Sequence, residues 1–551
     1  MRCWWLLLGA SAHFLEDPND QRLVEDLLER MTLEEKVGQL ELLSRPWGDD
    51  FNGESAQWSQ VLARARNGTL GAVFNGQGVA INRELQRVAV EESRLGIPLI
   101  FAADIWHGMW TIFPTPLAEA ASWDVTLAEQ TARASAVEAT ASGLMWTFSP
   151  MVDTARDQRW GRNGEGAGED PVLGAALAAA RVRGFQGPDL KAADSLASCL
   201  KHFAGYAGAT AGLDYSESDV SEATLRDVFL PPFQAGIEAG ALSVMSAFQA
   251  VDGVPATGNK WLLTDVLRSE LGFKGFVVTD YNADGELVNH GYAANGSDAA
   301  RLALNAGVDM SMHSEVFRHL PELVANGSVA TERVEDAARK VLSAKAAMGL
   351  LAEPYKTLDP TREWPQRQLE KLLEHDLLAR RAARQSLVLL KNEGNTLPLP
   401  KCCRRIAVIG WWADSLDSDG LGVIWGNRSG SVTLLQGLRS AVSGPLRHAR
   451  GSEADGPPEK GLEEATELAR WADVVLLALG ESSAMSGEGR SRTSLRLPRA
   501  QRALARAVRR AAPDTPQARK RKRVITRSAS KTYRSVLIYK NNSKHIYIYI
   551  I

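Results

Sequence analysis

Cysteine is scarce, with four in 551 residues. That is too few for a disulfide framework, which excludes a disulfide-held miniprotein. The four, Cys3, Cys199, Cys402 and Cys403, lack the C-x2-C spacing of metal ligands. Cys199 lies in an apolar segment and reads as a small core residue. No apolar run approaches the ~18 residues of a membrane-spanning helix. Glycine (47) and proline (23) are at ordinary levels, which excludes a collagen-like chain. Net charge is nearly absent, at −3. Ile406-Ala-Val-Ile-Gly410 is not followed by G-x-G-x-x-G, so a dinucleotide fold is not expected.

What is present is the composition of a folded protein, 45% apolar and 23% charged. At about 100–200 residues per domain, the length suggests about two to four domains. Charge is distributed unevenly. Residues 499–551 hold 15 Lys and Arg against one acid, Asp514, leaving the rest of the chain acidic. Such an end invites a nucleic-acid reading. The first residues, MRCWWLLLGASAHF, combine a basic residue, a short apolar stretch and Ala10-Ser11-Ala12. Residues 1–17 therefore read as a short signal-like segment, and a secreted or periplasmic location is the expectation. Asn-x-Ser/Thr occurs at Asn67, Asn295, Asn326, Asn427 and Asn541, which is near chance and carries little weight.

From Pro18 to about residue 350, short apolar runs alternate with helical segments. A capping box, Thr32-x-x-Glu35, opens the first amphipathic stretch. The runs are Gly71–Phe74, Pro98–Ala102, Leu144–Phe148, Leu242–Met245 and Phe276–Thr279, with Ala-rich segments at 125–142 and 171–185 among them. Continuous apolar strands with helical crossovers predict a parallel sheet buried on both faces. The length suits a (β/α)8 barrel, TIM-like, over 18–350. Residues 351–382 read as a linker plus a helix. A second α/β unit, a sandwich, covers 383–516, with strand signals at Ser386–Leu390, Arg405–Gly410 and Ala472–Gly480 and a helix at 460–471.

Polar residues end the runs: Asp104, Asp153 followed by Arg156, Arg159 and Arg162, Lys201-His202, and Asp280. Capping or loop anchoring would explain any one of them. In a barrel, however, the carboxyl ends of the strands form one rim, where catalytic groups gather. Glycoside chemistry needs two carboxyls, one as nucleophile and one to protonate the leaving oxygen. Asp280, at the end of the stiff strand Phe276-Val-Val-Thr, is the better nucleophile candidate. Lys201, His202, Asp104 and Arg162 can bind sugar hydroxyls. Tyr281 and Trp106 can offer a stacking face, and packing at the rim explains Trp106 equally well.

The residues at this point resemble glycoside hydrolase family 3, the β-glucosidase and β-xylosidase group. The matching segments are Ala102-Ala-Asp-Ile-Trp-His-Gly108, Arg156-Asp-Gln-Arg-Trp-Gly-Arg162 with Gly164-Glu-Gly-Ala-Gly-Glu-Asp170, Lys201-His-Phe203 and Gly275-Phe-Val-Val-Thr-Asp280. In the second unit they are Ser386–Asn392, Ile406–Gly410 and Gly480-Glu-Ser-Ser-Ala-Met-Ser-Gly-Glu488, with Leu497-Pro498 following. The resemblance spans roughly residues 18–515. It implies a retaining, exo-acting β-glycosidase without metal or cofactor, hydrolysing terminal β-glucosyl residues of small-molecule or oligosaccharide substrates. It implies that Asp280 forms the covalent glycosyl-enzyme and that Glu488 is the acid/base, delivered on a second-domain loop. Glu481, seven residues earlier, competes for that role. Acting as an acid requires a pKa raised by apolar cover or by the Asp280 charge. Asp104, Arg162, Lys201 and His202 are implied ligands of the terminal sugar, and Asp214 of a second sugar. Trp425 either stacks on that second sugar or is a buried packing residue.

Several positions depart from the family pattern. Gly166-Ala167 replaces the usual Gly-Phe/Tyr, Gln249 and Asp252 stand where Asn is common, and Tyr281 stands where β-glucosidases often have Trp. The loop 204–212 lacks the His of the N-acetylglucosaminidase branch, which is disfavoured. The alternatives are a β-xylosidase or a catalytically impaired sugar-binding remnant. The tail departs most. Gln517-Ala-Arg-Lys-Arg-Lys-Arg523 and Ile546-Tyr-Ile-Tyr-Ile-Ile551 stand where an apolar strand should complete the second sheet. Alternating Ile-Tyr is what a TATATA repeat encodes. Residues 517–551 are thus expected to be an aberrant, out-of-frame tail and the sandwich to be incomplete. A genuine polyanion-binding role for 519–523 is the rival; neither a nucleic-acid nor a membrane partner is expected.

Overall fold

The computed structural model describes residues 17–45, 56–76, 78–364, 369–392, 397–417, 425–426, 431–457 and 461–512, and the backbone of 534–540 and 544–550. The signal-like residues 1–16, Asn427, Asn541 and the basic cluster 517–523 lie outside the described residues.

Eight short strands form the barrel of the first unit: β1 (Glu41–Ser44), β2 (Ala72–Phe74), β3 (Ile100–Ala103), β4 (Trp146–Thr147), β5 (Cys199–Phe203), β6 (Ser243–Ser246), β7 (Phe276–Thr279) and β8 (Ser311–Met312). One arc runs β8-β1-β2-β3-β4 and the other β5-β6-β7, with parallel pairing throughout. Parallel bridges Trp146↔Ala197 and Val278↔Met310 join the arcs. The result is a closed (β/α)8 barrel. Its strands are buried along nearly their whole length, which explains why they appear in the sequence as unbroken apolar runs. All five expected runs contribute strands. β1 and β8 were not expected: Glu41 and Ser44 flank Leu42-Leu43, and Asp309, Ser311 and His313 interrupt 308–313, so neither shows an unbroken apolar run. Lys201 and His202 lie inside β5, not past it.

Caps fix where the outer helices start. Thr32 and Glu35 form the expected capping box. Asp124 accepts the Leu127 N–H at 3.0 Å and starts the helix Val125–Thr140. Asp170 accepts from Val172 and Leu173, with Pro171 in the first turn, and starts the helix Pro171–Gln186. Both Ala-rich helices pack closely on the barrel because their small side chains allow it. Cys199 is buried in that core, and burial pushes its thiol up to about 12.

After the helix Leu369–Gln385, a six-stranded sheet follows, comprising β9 (Leu387–Asn392), β10 (Ile406–Ile409), β11 (Leu446–Ala449), β12 (Val474–Leu479), β13 (Arg534–Lys540) and β14 (Lys544–Ile550). The order is β9-β14-β13-β12-β10-β11, with β11, β10 and β12 parallel and the rest antiparallel. Along β10, Ala407 and Ile409 meet one apolar cluster with Leu468 and Leu504, while Ile406 and Val408 meet another with Trp412 and Leu435. Both faces are therefore covered, as an α/β sandwich requires.

Two segments of the tail join the second sheet. The backbone of 534–540 and 544–550 pairs antiparallel beside β12 and reaches β9. The physical reason is the period-two pattern of Ile546–Ile550, which suits a strand whatever its origin, meeting the edge that β12 would otherwise leave open.

Candidate active site

The carboxyl ends of the barrel strands surround a cavity of about 520 Å³. Asp104 follows β3, Lys201 lies in β5 and Asp280 follows β7; all three line it, with Arg162 and Tyr281. Glu488 of the second unit completes the wall. Tyr215, Glu286, Asn75 and the apolar Phe74, Phe148, Phe248, Met245 and Met312 fill the remainder.

Asp280 is nearly buried. Its Oδ1 accepts the Tyr281 N–H at 2.7 Å, while Oδ2 has no hydrogen-bond partner. Burial pushes its carboxyl up to about 7, the Glu488 charge adds to this, and Arg162 and Lys201 oppose it. Lys201 Nζ donates to Asp104 Oδ2 at 2.6 Å, and Asp104 Oδ1 is left without a partner. Burial raises the Asp104 carboxyl against the pull of Lys201. Burial also works against the Lys201 charge, but Asp104 and Glu165 together hold it above its ordinary value. A register irregularity between Leu200 and Phe203 re-aims the strand here, so consecutive Lys201 and His202 both serve the site.

His202 is held by two partners. Asp153 Oδ2 sits 2.8 Å from Nδ1 and also accepts the His202 backbone N–H at 2.9 Å. Arg162 Nη2 donates to Nε2 at 3.0 Å. That geometry assigns a neutral ring with its proton on Nδ1. Burial, then the charges of Arg162 and Lys201, hold the ring's pKa well below its ordinary value. Arg162 also grips Glu165 with a two-pronged contact, Nε and Nη2 at 2.9 and 3.0 Å. Burial opposes its charge, and Glu165 and Glu488 outweigh that.

Glu488 is delivered by the loop 487–492. The chain pairs there as a short antiparallel ribbon: Gly161 N–H to Arg490 O at 3.0 Å, Gly487 N–H to Gly161 O at 2.8 Å and Arg492 N–H to Arg159 O at 3.0 Å. The Tyr215 hydroxyl donates to Glu488 Oε1 at 3.0 Å, and Arg162 Nη1 lies 3.4 Å from the same oxygen. The Glu488 side chain is 49% exposed, so the apolar cover expected for it is not what surrounds it. Glu481 instead pairs with Arg492 at 3.0 Å. Of the two candidate carboxylates, Glu488 reaches the cavity.

Other expected residues stand outside the lining. Asp214 accepts from the Trp160 indole and from Gly489 N–H, both at 2.6 Å, so the loop uses it rather than the cavity. Trp425 packs against a cluster that includes Ala103, Ile105 and Met109, in line with the packing reading. Trp106 is buried, with its carbonyl accepting from Arg181. Of the three arginines after Asp153, Arg156 is exposed and Arg159 pairs with Asp157; only Arg162 reaches the site. Tyr215 and Glu286 were not anticipated. Both follow motif residues that were, Tyr215 directly after Asp214 and Glu286 one turn past Asp280, and loops after barrel strands are where such groups belong.

No group of three or more His, Cys, Asp or Glu fit to hold a metal occurs among the described residues. No helix among them is long and apolar enough to cross a membrane.

The chain is similar to several characterised proteins. It is 39% identical over 509 residues to a periplasmic β-glucosidase of Salmonella typhimurium, covering 88% of this chain and 66% of that one. It is 34% identical to a β-xylosidase of Formosa agariphila, covering 77% and 62%. A solved β-glucosidase of Listeria innocua in complex with glucose superposes with a TM-score of 0.83 at 36% identity, covering 90% and 68%. A mutant of that enzyme in complex with laminaribiose gives 0.84. The chain thus spans about two-thirds or less of the curated relatives' length. The model of the glycosyl hydrolase family 3 N-terminal domain matches residues 32–344 and that of its C-terminal domain residues 387–528. With a barrel and a sandwich meeting at one carboxylate-lined cavity, and both halves matched, the chain belongs to glycosyl hydrolase family 3.

Proposed function

We propose that the protein is a retaining, exo-acting β-glycosidase that hydrolyses terminal, non-reducing β-D-glucosyl residues. The observation that carries this reading is the cavity with two carboxylates from different units, Asp280 from the barrel and Glu488 from the sandwich. Asp280 Oδ2, free of hydrogen bonds, attacks the anomeric carbon, and a glycosyl ester forms as the bond to the leaving oxygen breaks. Glu488 gives that oxygen a proton, then takes one from the water that hydrolyses the ester. Asp104, with its unpartnered Oδ1, Lys201 and Arg162 hold the sugar hydroxyls. Tyr281 offers its ring, 48% exposed, to the sugar face. His202 acts through Arg162, orienting it.

Two relatives of β-glucosidase name, one solved with glucose, support a glucose-configured substrate. The β-xylosidase relative favours the second reading, a β-xyloside. The seated Glu488 loop speaks against an impaired, sugar-binding remnant. The periplasmic relative supports export. The test is incubation of the purified full chain with a fluoro-deoxyglucoside bearing an activated leaving group, followed by intact mass and peptide mapping. A stable adduct on Asp280 is expected. No adduct on folded protein would reject the glucoside reading, and a xylose-configured analogue then separates a xylosidase from an inactive chain.

A further inference from the structure

Both carboxylate oxygens of Asp214 are engaged by the protein. Oδ1 accepts the Trp160 indole N–H and Oδ2 the Gly489 N–H, each at 2.6 Å. Its own N–H donates to Ser491 Oγ at 3.0 Å, and Ser491 Oγ donates back to Gly212 O at 2.6 Å. Gly489 and Ser491 are the residues just past Glu488. The next residue, Tyr215, holds Glu488 itself. It sits at a left-handed φ of 64°, rare for a bulky side chain, with its ring edge-on to Phe248 at 5.3 Å. Burial and the Glu488 charge keep the Tyr215 hydroxyl protonated and therefore a donor. Asp214–Tyr215 is thus a barrel dipeptide that fixes a second-domain loop at the main chain and at the carboxylate.

The geometry points to Asp214 as a positioning residue for Glu488, latching the acid/base loop onto the barrel, rather than as a ligand of a second sugar. This rests on the reading of Glu488 as acid/base. A misplaced proton donor hurts only reactions that need the proton, so leaving-group dependence separates positioning from sugar binding or general structural support.

The experiment compares kcat/KM for phenyl and dinitrophenyl β-glucosides in the full chain, in Asp214→Asn and in Gly161→Ala. Asn can accept from only one of the two N–H groups, Trp160 Nε1–H and Gly489 N–H, and turns a donor towards the other. Gly161→Ala disturbs the same loop from the opposite side, since a Cβ there would lie 2.2 Å from Arg490 O and 2.3 Å from Gly487 O. Either variant is expected to lose about 10–100-fold on the phenyl glucoside, the scale of a donor misplaced by ~1 Å, and much less on the dinitrophenyl glucoside. Equal losses on both substrates, or wild-type rates on both in the two variants, would overturn the positioning role. Glu488→Gln is the reference. If it too responds equally to both substrates, the acid/base reading falls and the proposal with it. A steep Glu488→Gln response beside a flat Asp214→Asn response rejects the latch alone. Thermal melts of each variant separate loop displacement from unfolding, and the Gly161→Ala result stands if Asp214→Asn does not fold.

Discussion

Asp280 Oδ2 lies 3.6 Å from His202 Nε2, and no proton stands between them. The ring's single proton is on the far nitrogen, against Asp153, and Nε2 is occupied by Arg162. His202 therefore offers Asp280 no cationic partner. Burial dominates instead and pushes the Asp280 carboxyl up to about 7. A nucleophile must be ionised to attack. The expected outcome is that kcat/KM for an activated aryl glucoside falls tenfold per pH unit below about 7 and is flat just above it. A profile flat down to pH 5 would contradict the burial of Asp280.

The same burial has a consequence for stability. The folded Asp280 titrates near 7 and the unfolded one near its ordinary 3.8. The fold prefers the protonated form, a preference fully present below about pH 4 and lost as pH rises through 7. Ionised Asp280 therefore costs stability at alkaline pH, on the order of a few kcal/mol at about 1.4 kcal/mol per unit. Asp280→Asn should melt above wild type at pH 8, with the gain shrinking towards nothing near pH 4. Equal melting temperatures at pH 8 would count against this, as would a gain that grows on acidification. A higher melting temperature for Asp280→Asn at pH 8 would show function held at the expense of stability.

The barrel was largely legible because strands buried on both faces leave unbroken apolar runs, and the charged residues ending them stand out. β1 and β8 escaped because Glu41, Ser44, Asp309 and Ser311 break the apolar run that marks the other strands. Asp280, Asp104 and Lys201 were legible for the same reason: they sit on or just past strands. Asp214 stands out in the sequence, but its partners do not. Sequence places it beside the site, whereas only the fold shows that Gly489 and Trp160 take its two oxygens. Tyr215 and Glu286 carry no periodic signal; loop geometry alone turns them into the cavity.

Arg162 meets Glu165, His202 and Glu488 with one planar group. Lysine carries the charge but not the fork. Arg162→Lys leaves a nearly buried Glu165 without its two-pronged partner and Nε2 of His202 without a donor. The expected result is a loss of about 10²-fold in kcat/KM, with a lower melting temperature, since breaking a buried pair strands a charge. Retained activity in Arg162→Lys would show that charge alone suffices and would remove the orienting role of His202.

Tyr281 and Trp425 are both aromatic and both candidates to stack on sugar, but they stand in different surroundings. Tyr281 lines the cavity, nearly half exposed, its ring braced edge-on by Phe74 at 6.2 Å and tilted on His313 at 5.2 Å. Trp425 packs on the cluster of Met109, Leu144 and Phe185. Tyr281→Ala is expected to raise KM about 3–10-fold, the scale of one aromatic contact at ~1 kcal/mol, with little change in melting temperature. Trp425→Ala is expected to do the reverse. It should cost about 2 kcal/mol of stability, less than the ~3–5 kcal/mol of a fully buried aromatic, and leave KM unchanged. Measuring both variants with one glucoside and one thermal melt decides the matter. A rise in KM for Trp425→Ala without loss of stability would return Trp425 to the sugar site, since packing residues act through the fold and contact residues through the bound substrate.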